Sequence, residues 1–193
     1  MARLFLAISL PAQVKERLAE VQRKLARSGA DVRWVRPEGI HLTLKFLGEV
    51  PPEKIEAIVA ACEKAVKEAA PGALRLGVRG LGTFPPNRAP RVVWAGLTGD
   101  LTALARLKRA LEEALVSLGF EREDRPFVPH LTLGRVKSAR RREALLKEIA
   151  RFREEEFFSP ESIEVCTLTL YQSTLHPEGA IYTALRKIPL ASN

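Results

Sequence analysis

The chain has 193 residues, 46% of them hydrophobic, and 31 lysines and arginines stand against 23 aspartates and glutamates. This composition predicts a globular protein with a buried core and excludes a disordered tail. The longest apolar runs are far shorter than the roughly 20 residues that span a bilayer, so we expect a soluble, cytoplasmic protein without a membrane partner.

The net charge of +8 favours an anionic or phosphorylated partner. Ordinary solubility charge is an equal alternative, because the basic residues do not form one long run. The two cysteines, Cys62 and Cys166, lie in apolar segments, which predicts buried thiols rather than a disulfide or a metal knuckle. Arginine outnumbers lysine and the thermolabile residue types are scarce, a composition that indicates a thermophilic source.

The first half of the chain predicts the order strand, helix, strand, helix, strand. Hydrophobic periodicity and the positions of proline and glycine place a strand at 3–8, a helix between Pro11 and Gly29, a short extended piece at 32–35, a strand from His41, a helix after Pro52 and a strand at 74–81. The segment 82–90 is rich in turn residues, and we expect it to cross between two lobes.

The second half repeats this plan. The predicted elements are a strand at 92–97, a helix that Gly119 ends, a strand from His130, a helix that opens near Ser138, a strand at 164–173 and a last strand at 180–188. Two similar halves predict an internal duplication with approximate repeats at 1–89 and 90–193.

Two segments, 41–48 and 129–136, are near copies that share the sequence His-Leu-Thr-Leu, and they contain two of the three histidines. An offset of 89 residues places them in register. We therefore predict an α+β fold in a single bilobal domain spanning 1–193. Its two pseudo-symmetric lobes each have an antiparallel-type sheet with helices on the outer face, and the active-site cleft lies between the lobes.

Strand alternation divides each motif into two faces. In the first motif, His41, Thr43 and Lys45 fall on one face, and the core face receives Leu42, Leu44 and Phe46. In the second motif His130 and Thr132 share a face. The imidazole and hydroxyl of each motif can then reach one small anion, because side chains at i and i+2 project the same way.

Two histidines suit the cleavage of a phosphodiester without a metal. One ring takes a proton from the attacking oxygen, and the other protonates the leaving oxygen. Both tasks are possible near neutral pH, because the unperturbed pKa of imidazole is about 6.5. The hydroxyls of Thr43 and Thr132 can donate hydrogen bonds to the non-bridging oxygens. We predict a shared active site with His41 and His130 as catalytic residues.

The residues of the two motifs have alternative uses. A single His-x-Thr strand is more often structural, but packing does not require two copies of the polar face. A zinc site would need a third or fourth ligand, and none lies near either motif, so we expect no metal and no cofactor. His176 lies in a predicted hairpin loop and is expected at the surface. The sequence contains no Walker pattern and no Gly-x-Ser-x-Gly.

These motifs resemble those of the 2H phosphoesterases, and in particular of the bacterial and archaeal RNA 2′,3′-cyclic phosphodiesterases, also called 2′-5′ RNA ligases. The resemblance covers the whole chain, with no departure at a motif position. Beyond the two His-x-Thr motifs, the matching features are 5–10, 45–48, Pro129, Arg135, 170–175, Gly179 and Tyr182.

The resemblance implies a bilobal fold and metal-free hydrolysis of a terminal RNA 2′,3′-cyclic phosphate to a 2′-phosphate, and in some members the joining of RNA ends through a 2′-5′ linkage. We expect a monomer. The resemblance also implies that His41 protonates the leaving oxygen and that His130 activates water. Arg135 is a candidate substrate-binding residue, although strict alternation places it opposite His130 unless the strand twists or ends there. Two alternatives stay open: a phosphodiesterase for another small cyclic or 2′-5′-linked nucleotide, and a non-catalytic RNA- or nucleotide-binding module.

Overall fold

The computed structural model describes residues 1–191. This part of the chain forms nine strands and four α-helices, in the order β1 (Ala2–Ser9), α1 (Ala12–Ala26), β2 (Val32–Trp34), β3 (His41–Val50), α2 (Ile55–Ala69), β4 (Leu74–Phe84), β5 (Val92–Gly99), α3 (Leu101–Val116), β6 (His130–Val136), α4 (Arg142–Arg151), β7 (Glu156–Val165), β8 (Thr167–His176) and β9 (Gly179–Pro189). Single 3-10 turns precede β3 and α2, at Pro37–Gly39 and Pro52–Lys54.

The strands form two antiparallel sheets. The four-stranded sheet has the order β3-β1-β8-β9, and the five-stranded sheet has the order β2-β6-β5-β4-β7. Strand β3, at the edge of the first sheet, lies against β6 of the second. The predicted α+β class with two antiparallel sheets is confirmed. Within residues 1–191, no helix combines the length and the apolar character that crossing a membrane requires.

Each sheet takes strands from both halves of the chain. β2 and β4, from the first half of the chain, lie in the five-stranded sheet together with β5, β6 and β7. β8 and β9, from the second half, lie in the four-stranded sheet together with β1 and β3. The helices are exchanged as well: α1 packs beside α4 and reaches β6, whereas α3 packs beside α2 and contacts β3. The lobes therefore do not follow the boundary between 1–89 and 90–193, and the duplication itself stays a prediction.

Two predicted connections were wrong. The turn-rich segment 82–90 does not cross between lobes, because it joins β4 to β5, which are neighbours in one sheet with Phe84 opposite Val92. The strand predicted at 164–173 is in fact two strands, β7 and β8, which belong to different sheets and are separated by Cys166. The chain changes sheets at this cysteine, not in the segment before β5.

The predicted apolar stripes of the helices are buried. Leu18 and Leu25 of α1, like Leu104 and Leu111 of α3, have no exposed surface, and they pack with the inner faces of the strands into one core. Burial of the stripe, rather than helix propensity alone, stabilises helices of this length.

The two cysteines differ from each other. Cys62 is buried as expected, and this burial, with a smaller contribution from the charge of Glu63, raises the pKa of its thiol to about 12. The prediction for Cys166 was wrong, because it is exposed at the junction between β7 and β8. A residue at a sheet-to-sheet junction lies outside the apolar alternation of both strands.

Candidate active site

Both motif strands contain a β-bulge at the same place. In β3, Thr43 lies opposite Ala7 and Lys45 opposite Leu6, which leaves Leu44 as the extra residue. In β6, Thr132 lies opposite Trp94 and Gly134 opposite Val93, which leaves Leu133 as the extra residue. The two bulged leucines are 89 residues apart. An extra residue shifts the side-chain alternation beyond it by one position.

The bulge overturns the predicted faces of two residues in β3. Lys45 was placed on the polar face with His41, but it is buried, with 2% of its surface exposed. Phe46 was placed in the core, but 65% of its surface is exposed, and its ring lies 6.0 Å from that of Phe5 on the side of His41. Strict alternation fails here because Leu44 and Lys45 both point toward the core.

The same shift in β6 concerns Arg135, which occupies the position that corresponds to Phe46. Gly134 is buried after the bulge and Arg135 is exposed. The bulge turns Arg135 toward the face that carries His130 and Thr132. The objection from strict alternation is thereby removed, and the role of Arg135 stays a prediction.

Each bulge is held by a buried polar side chain from a helix. Lys108 of α3 donates a hydrogen bond to the carbonyl of Leu44. Gln22 of α1 donates to the carbonyl of Leu133 at 2.9 Å and to that of Val35 at 2.8 Å. The carbonyl of Leu133 also accepts the backbone N–H of Val35 at 2.9 Å. Buried carbonyls need hydrogen-bond donors, so Lys108 and Gln22 help to stabilise the bulges.

Sequence reasoning missed both of these donors, although a signal was present. Gln22 follows Leu18 by four residues, and Lys108 follows Leu104 by four residues, so each polar residue lies in the buried stripe of its helix. A polar residue in such a stripe needs a buried hydrogen-bond partner.

Lys108 belongs to a buried ionic network that also includes Lys45. The two ammonium groups share the carboxylate of Glu112, each at 2.8 Å. Lys108 further contacts Glu123 at 3.0 Å, and Lys45 donates to the carbonyl of Glu121 at 2.6 Å. The network ties β3 to α3 and to the loop that follows it.

The charge state of Glu112 follows from this network. Burial alone would raise the pKa of its carboxyl, but the hydrogen bonds and charges of Lys108 and Lys45 outweigh burial and hold the pKa below its usual value. Glu112 is therefore ionised in the folded protein over the whole neutral range.

The two motif histidines make the same local hydrogen bond. Nδ1 of His41 lies 2.6 Å from the carbonyl oxygen of Gly39, and Nδ1 of His130 lies 2.8 Å from that of Val128. A carbonyl only accepts, so Nδ1 carries the hydrogen in both rings. The neutral form of each ring then has its lone pair on Nε2, which is the atom available for proton transfer.

The surroundings of the two rings differ. His41 stacks on Phe5 with 4.9 Å between ring centroids and meets the edge of Tyr182 at 5.1 Å. Burial lowers the pKa of the His41 imidazole. The hydrogen bond to the Gly39 carbonyl raises this pKa, and the positive charge of Lys15 lowers it further, so that the pKa lies below its usual value. His130 has a single aromatic neighbour among residues 1–191, Phe84, in an edge contact at 5.0 Å.

A small pocket of about 60 Å³ opens beside His41, and Lys15, Tyr171 and Tyr182 are among the residues that line it. Thr43 and Thr132 are partly exposed on their strands, two residues after the histidines. His176 is exposed at the end of β8, as expected. In the part of the chain that the structure describes, no cluster of three or more His, Cys, Asp or Glu side chains could hold a metal ion, and metal-free catalysis stays a prediction.

The two bulged His-x-Thr strands, β3 and β6, meet where the two sheets contact each other. The sequence matches the family described as LigT like Phosphoesterase over residues 8–94 and 99–182. The chain belongs to this family, and it is an enzyme of the phosphoesterase class.

Several relatives match over nearly their whole length. A protein of Methanocaldococcus jannaschii is 34% identical, over 96% of this chain and 99% of its own, and one of Archaeoglobus fulgidus is 38% identical, over 95% and 98%. Both carry the name RNA 2′,3′-cyclic phosphodiesterase. A similarly named protein of Thermus thermophilus, 34% identical over 97% of this chain and 90% of its own, fits the thermophilic composition.

Solved structures show the same fold. A crystal structure from Thermus thermophilus superposes with a TM-score of 0.77 at 31% identity and covers 97% of each chain. The crystal structure of E. coli LigT complexed with 3′-AMP gives a TM-score of 0.76 at 27% identity, with 99% of each chain covered.

Proposed function

We propose that this phosphoesterase hydrolyses the terminal 2′,3′-cyclic phosphate of RNA to a 2′-phosphate, with His41 and His130 as its acid and base and without a metal. The observation that carries the proposal is the matched geometry of the two rings: each holds its Nδ1 hydrogen on the carbonyl two residues upstream and leaves Nε2 free. The names of the relatives and the 3′-AMP in the E. coli LigT structure support the substrate class.

The chemistry needs two proton transfers at opposite ends of one displacement. Nε2 of His130 takes a proton from water as the water oxygen attacks phosphorus. The bond from phosphorus to the ribose 3′ oxygen breaks, and Nε2 of His41 gives its proton to that oxygen. The product is a 2′-phosphate with a free 3′ hydroxyl. A ribose 5′ hydroxyl in place of water would give a 2′-5′ linkage by the same steps.

The remaining polar groups stabilise the charge that develops on phosphate. The hydroxyls of Thr43 and Thr132 donate to the non-bridging oxygens, one from each strand. The guanidinium of Arg135 can pair with a phosphate oxygen through two N–H groups. At the corresponding place in β3, the exposed ring of Phe46 offers a face on which a base can stack.

The proposal is tested with a short RNA that ends in a 2′,3′-cyclic phosphate, incubated with the enzyme and excess EDTA. We expect hydrolysis at an unchanged rate and a product whose phosphate is on the 2′ oxygen, as assigned by phosphorus NMR. A 3′-phosphate product, or loss of the reaction in EDTA, contradicts the proposal.

The same assay separates the alternatives. Faster turnover of a cyclic mononucleotide or a 2′-5′-linked dinucleotide than of the RNA end would favour the small-nucleotide enzyme. Binding of RNA without any turnover would favour the binding module. The monomeric state is checked independently by light scattering.

Thr43→Ala and Thr132→Ala are each expected to lower kcat by about 10²-fold, because each removes one hydrogen-bond donor to the transition state. Both side chains are only partly buried, so the midpoint of thermal unfolding should change little. Thr43→Ser and Thr132→Ser keep the hydroxyl and serve as matched controls that retain most of the activity. Wild-type kcat in both alanine variants would show that the hydroxyls only support the strands.

A further inference from the structure

A basic groove of about 510 Å³ lies between α1 and α4, on the helical side of the five-stranded sheet. Five cationic side chains line it. Lys24 and Arg27 lie at the C-terminal end of α1, and Arg141, Lys147 and Arg151 lie at the start of α4 and along it. The one acidic side chain in its lining is that of Glu148. The groove is separate from the pocket beside His41, and it shares no lining residue with that pocket.

The groove concentrates the positive charge of the protein. The residues that line it carry five positive charges and one negative charge. Their net charge of +4 is half of the net charge of the whole chain. Two of the three glutamates at 154–156 pair with cations outside the groove, Glu154 with Arg79 at 3.2 Å and Glu155 with Arg17 at 3.4 Å.

The helix pair on the other lobe shows that this charge is not a general surface property. Helices α2 and α3 together contain five lysines or arginines and five glutamates, whereas α1 and α4 together contain seven lysines or arginines and four glutamates. Ordinary solubility charge would be spread over both helix pairs. The contrast points to a local function for the α1 and α4 pair.

Two of the five cations of the groove, Arg141 and Arg151, have polar partners in the protein. Nε of Arg141 donates to the carbonyl of Ser28 at 2.6 Å, which joins the start of α4 to the end of α1. Arg151 makes a long contact of 3.5 Å with Glu148. Among the residues that the structure describes, Lys24, Arg27 and Lys147 form no ion pair, so their charges are available to a ligand.

We propose that this groove binds the phosphate backbone of single-stranded RNA, upstream of the end that occupies the active site. The choice of RNA as the ligand rests on the proposed function. The assignment of the groove as an anion-binding site rests on its own geometry and charge. β6 leads from His130 over seven residues, a distance on the order of 20 Å, and ends five residues before Arg141, which lines the groove. A strand of several nucleotides can follow this path, whereas a mononucleotide in the active site cannot reach the groove.

The groove fits RNA better than an anionic membrane. Binding at a lipid surface combines basic residues with exposed apolar side chains that enter the bilayer. The apolar ring in this groove, Phe152, is 8% exposed, and the ammonium of Lys24 lies 5.8 Å from its centre. A concave, polar site with unpaired cations matches a chain of phosphates.

The test compares two variants that each lose four positive charges. The groove variant carries Lys24→Gln, Arg27→Gln, Lys147→Gln and Arg151→Gln. The control variant carries Lys64→Gln, Lys67→Gln, Arg106→Gln and Arg109→Gln, on the exposed faces of α2 and α3. All eight side chains are exposed, so both variants should fold, which circular dichroism verifies.

Affinity is measured by fluorescence anisotropy with a labelled 12-nucleotide RNA that ends in a 3′ hydroxyl, so that binding does not depend on turnover. At low salt we expect the groove variant to bind the RNA at least about tenfold more weakly than the wild type. The magnitude of the slope of log K against log salt should decrease by about two to three, since each phosphate contact contributes about 0.7. The control variant should stay within about twofold of the wild type.

Hydrolysis of a 2′,3′-cyclic mononucleotide should be the same in the wild type and in both variants. Equal losses of RNA affinity in the two variants, an unchanged affinity of the groove variant, or tighter groove-dependent binding to phosphatidylserine vesicles than to RNA would each overturn the groove proposal. Lack of turnover on any cyclic phosphate would instead overturn the proposed function and leave the RNA-binding result intact.

Discussion

Replacement of either His41 or His130 by alanine is expected to lower the turnover of a cyclic phosphate by about 10²–10⁴-fold, the effect of losing a general acid or base. The double variant should lose little more than the single ones, because the two rings act in the same step. His176→Ala is the matched control, since this exposed histidine lies outside the site and its loss should leave kcat unchanged. Additive losses in the double variant would indicate that the rings act independently.

The roles of the two histidines are separated by a substrate whose leaving 3′ oxygen is replaced by sulfur. A thiolate leaves without protonation, so the acid becomes dispensable while the base is still needed. His41→Ala should therefore recover most of its activity on this substrate, and His130→Ala should stay inactive. Recovery of His130→Ala instead would reverse the proposed roles, and recovery of neither would mean that both rings chiefly bind phosphate.

The pH profile of kcat/KM adds a second test of the same assignment. A reaction that needs one charged and one neutral ring has a bell-shaped profile. Burial lowers the pKa of His41, so as the acid it loses its proton at a lower pH, and the alkaline limb of the bell moves toward acid. On the sulfur substrate this alkaline limb should disappear. A profile that keeps both limbs on that substrate would contradict the role of His41 as acid.

Glu112→Ala is expected to lower the free energy of unfolding by about 3–5 kcal/mol, because it leaves the buried ammonium groups of Lys45 and Lys108 without their shared carboxylate. The control is Glu113→Ala, on the same helix. Its carboxylate pairs with Arg122 at the surface, where an ion pair contributes about 0–1 kcal/mol. Urea unfolding measures both values, and a similar small loss in the two variants would show that the network is not stabilising.

The contribution of Glu112 should also depend on pH in a defined direction. Its pKa is lower in the folded protein than in the unfolded chain, so the folded state binds fewer protons. This contribution is present above the ordinary pKa of a glutamate and is lost as the pH falls through the lowered value. The difference between the wild type and Glu112→Ala should therefore shrink in acid, and a constant difference down to pH 3 would contradict the assigned ion pairs.

The same variant tests how the network supports the site. Lys108 holds the carbonyl of Leu44, the bulged residue between Thr43 and Phe46. A displaced Lys108 would relax the bulge and misplace the face that Phe46 and Thr43 share. We therefore expect Glu112→Ala to lower kcat under conditions where it is still folded, whereas Glu113→Ala should not.

Local sequence patterns were enough to predict most of the helices and strands and the candidate catalytic residues. The apolar stripe of a helix follows the helical period, whatever elements the helix packs against. Leu18 and Leu104 could therefore be placed in the core without knowing which strands or helices cover them. The two motifs could be matched because both carry a histidine and a threonine two residues apart within the same His-Leu-Thr-Leu sequence. Their histidines lie on two strands that meet, as the duplicated pattern predicted.

Tertiary structure decided which face the residues after each motif occupy. A bulge adds one residue to a strand and has no distinctive sequence. The segment around Leu44 and Lys45 is therefore equally consistent with a regular strand and with a bulged one. The extra residue is stable because Lys108 and Gln22 reach the bulged carbonyls from helices more than sixty residues away in the chain. For this reason the positions of Lys45 and Phe46 could not be predicted, and the position of Arg135 was ambiguous.

Tertiary structure also decided the partners of the strands and the distribution of charge. Pairing between β1 and β8, or between β4 and β7, depends on which edges meet when the core closes, and local propensity does not encode this choice. The basic residues are dispersed along the sequence, and the groove exists because Ser28 and Arg141 are brought together from positions 113 residues apart. Composition therefore fixed the amount of positive charge, and packing of α1 against α4 fixed where it is concentrated.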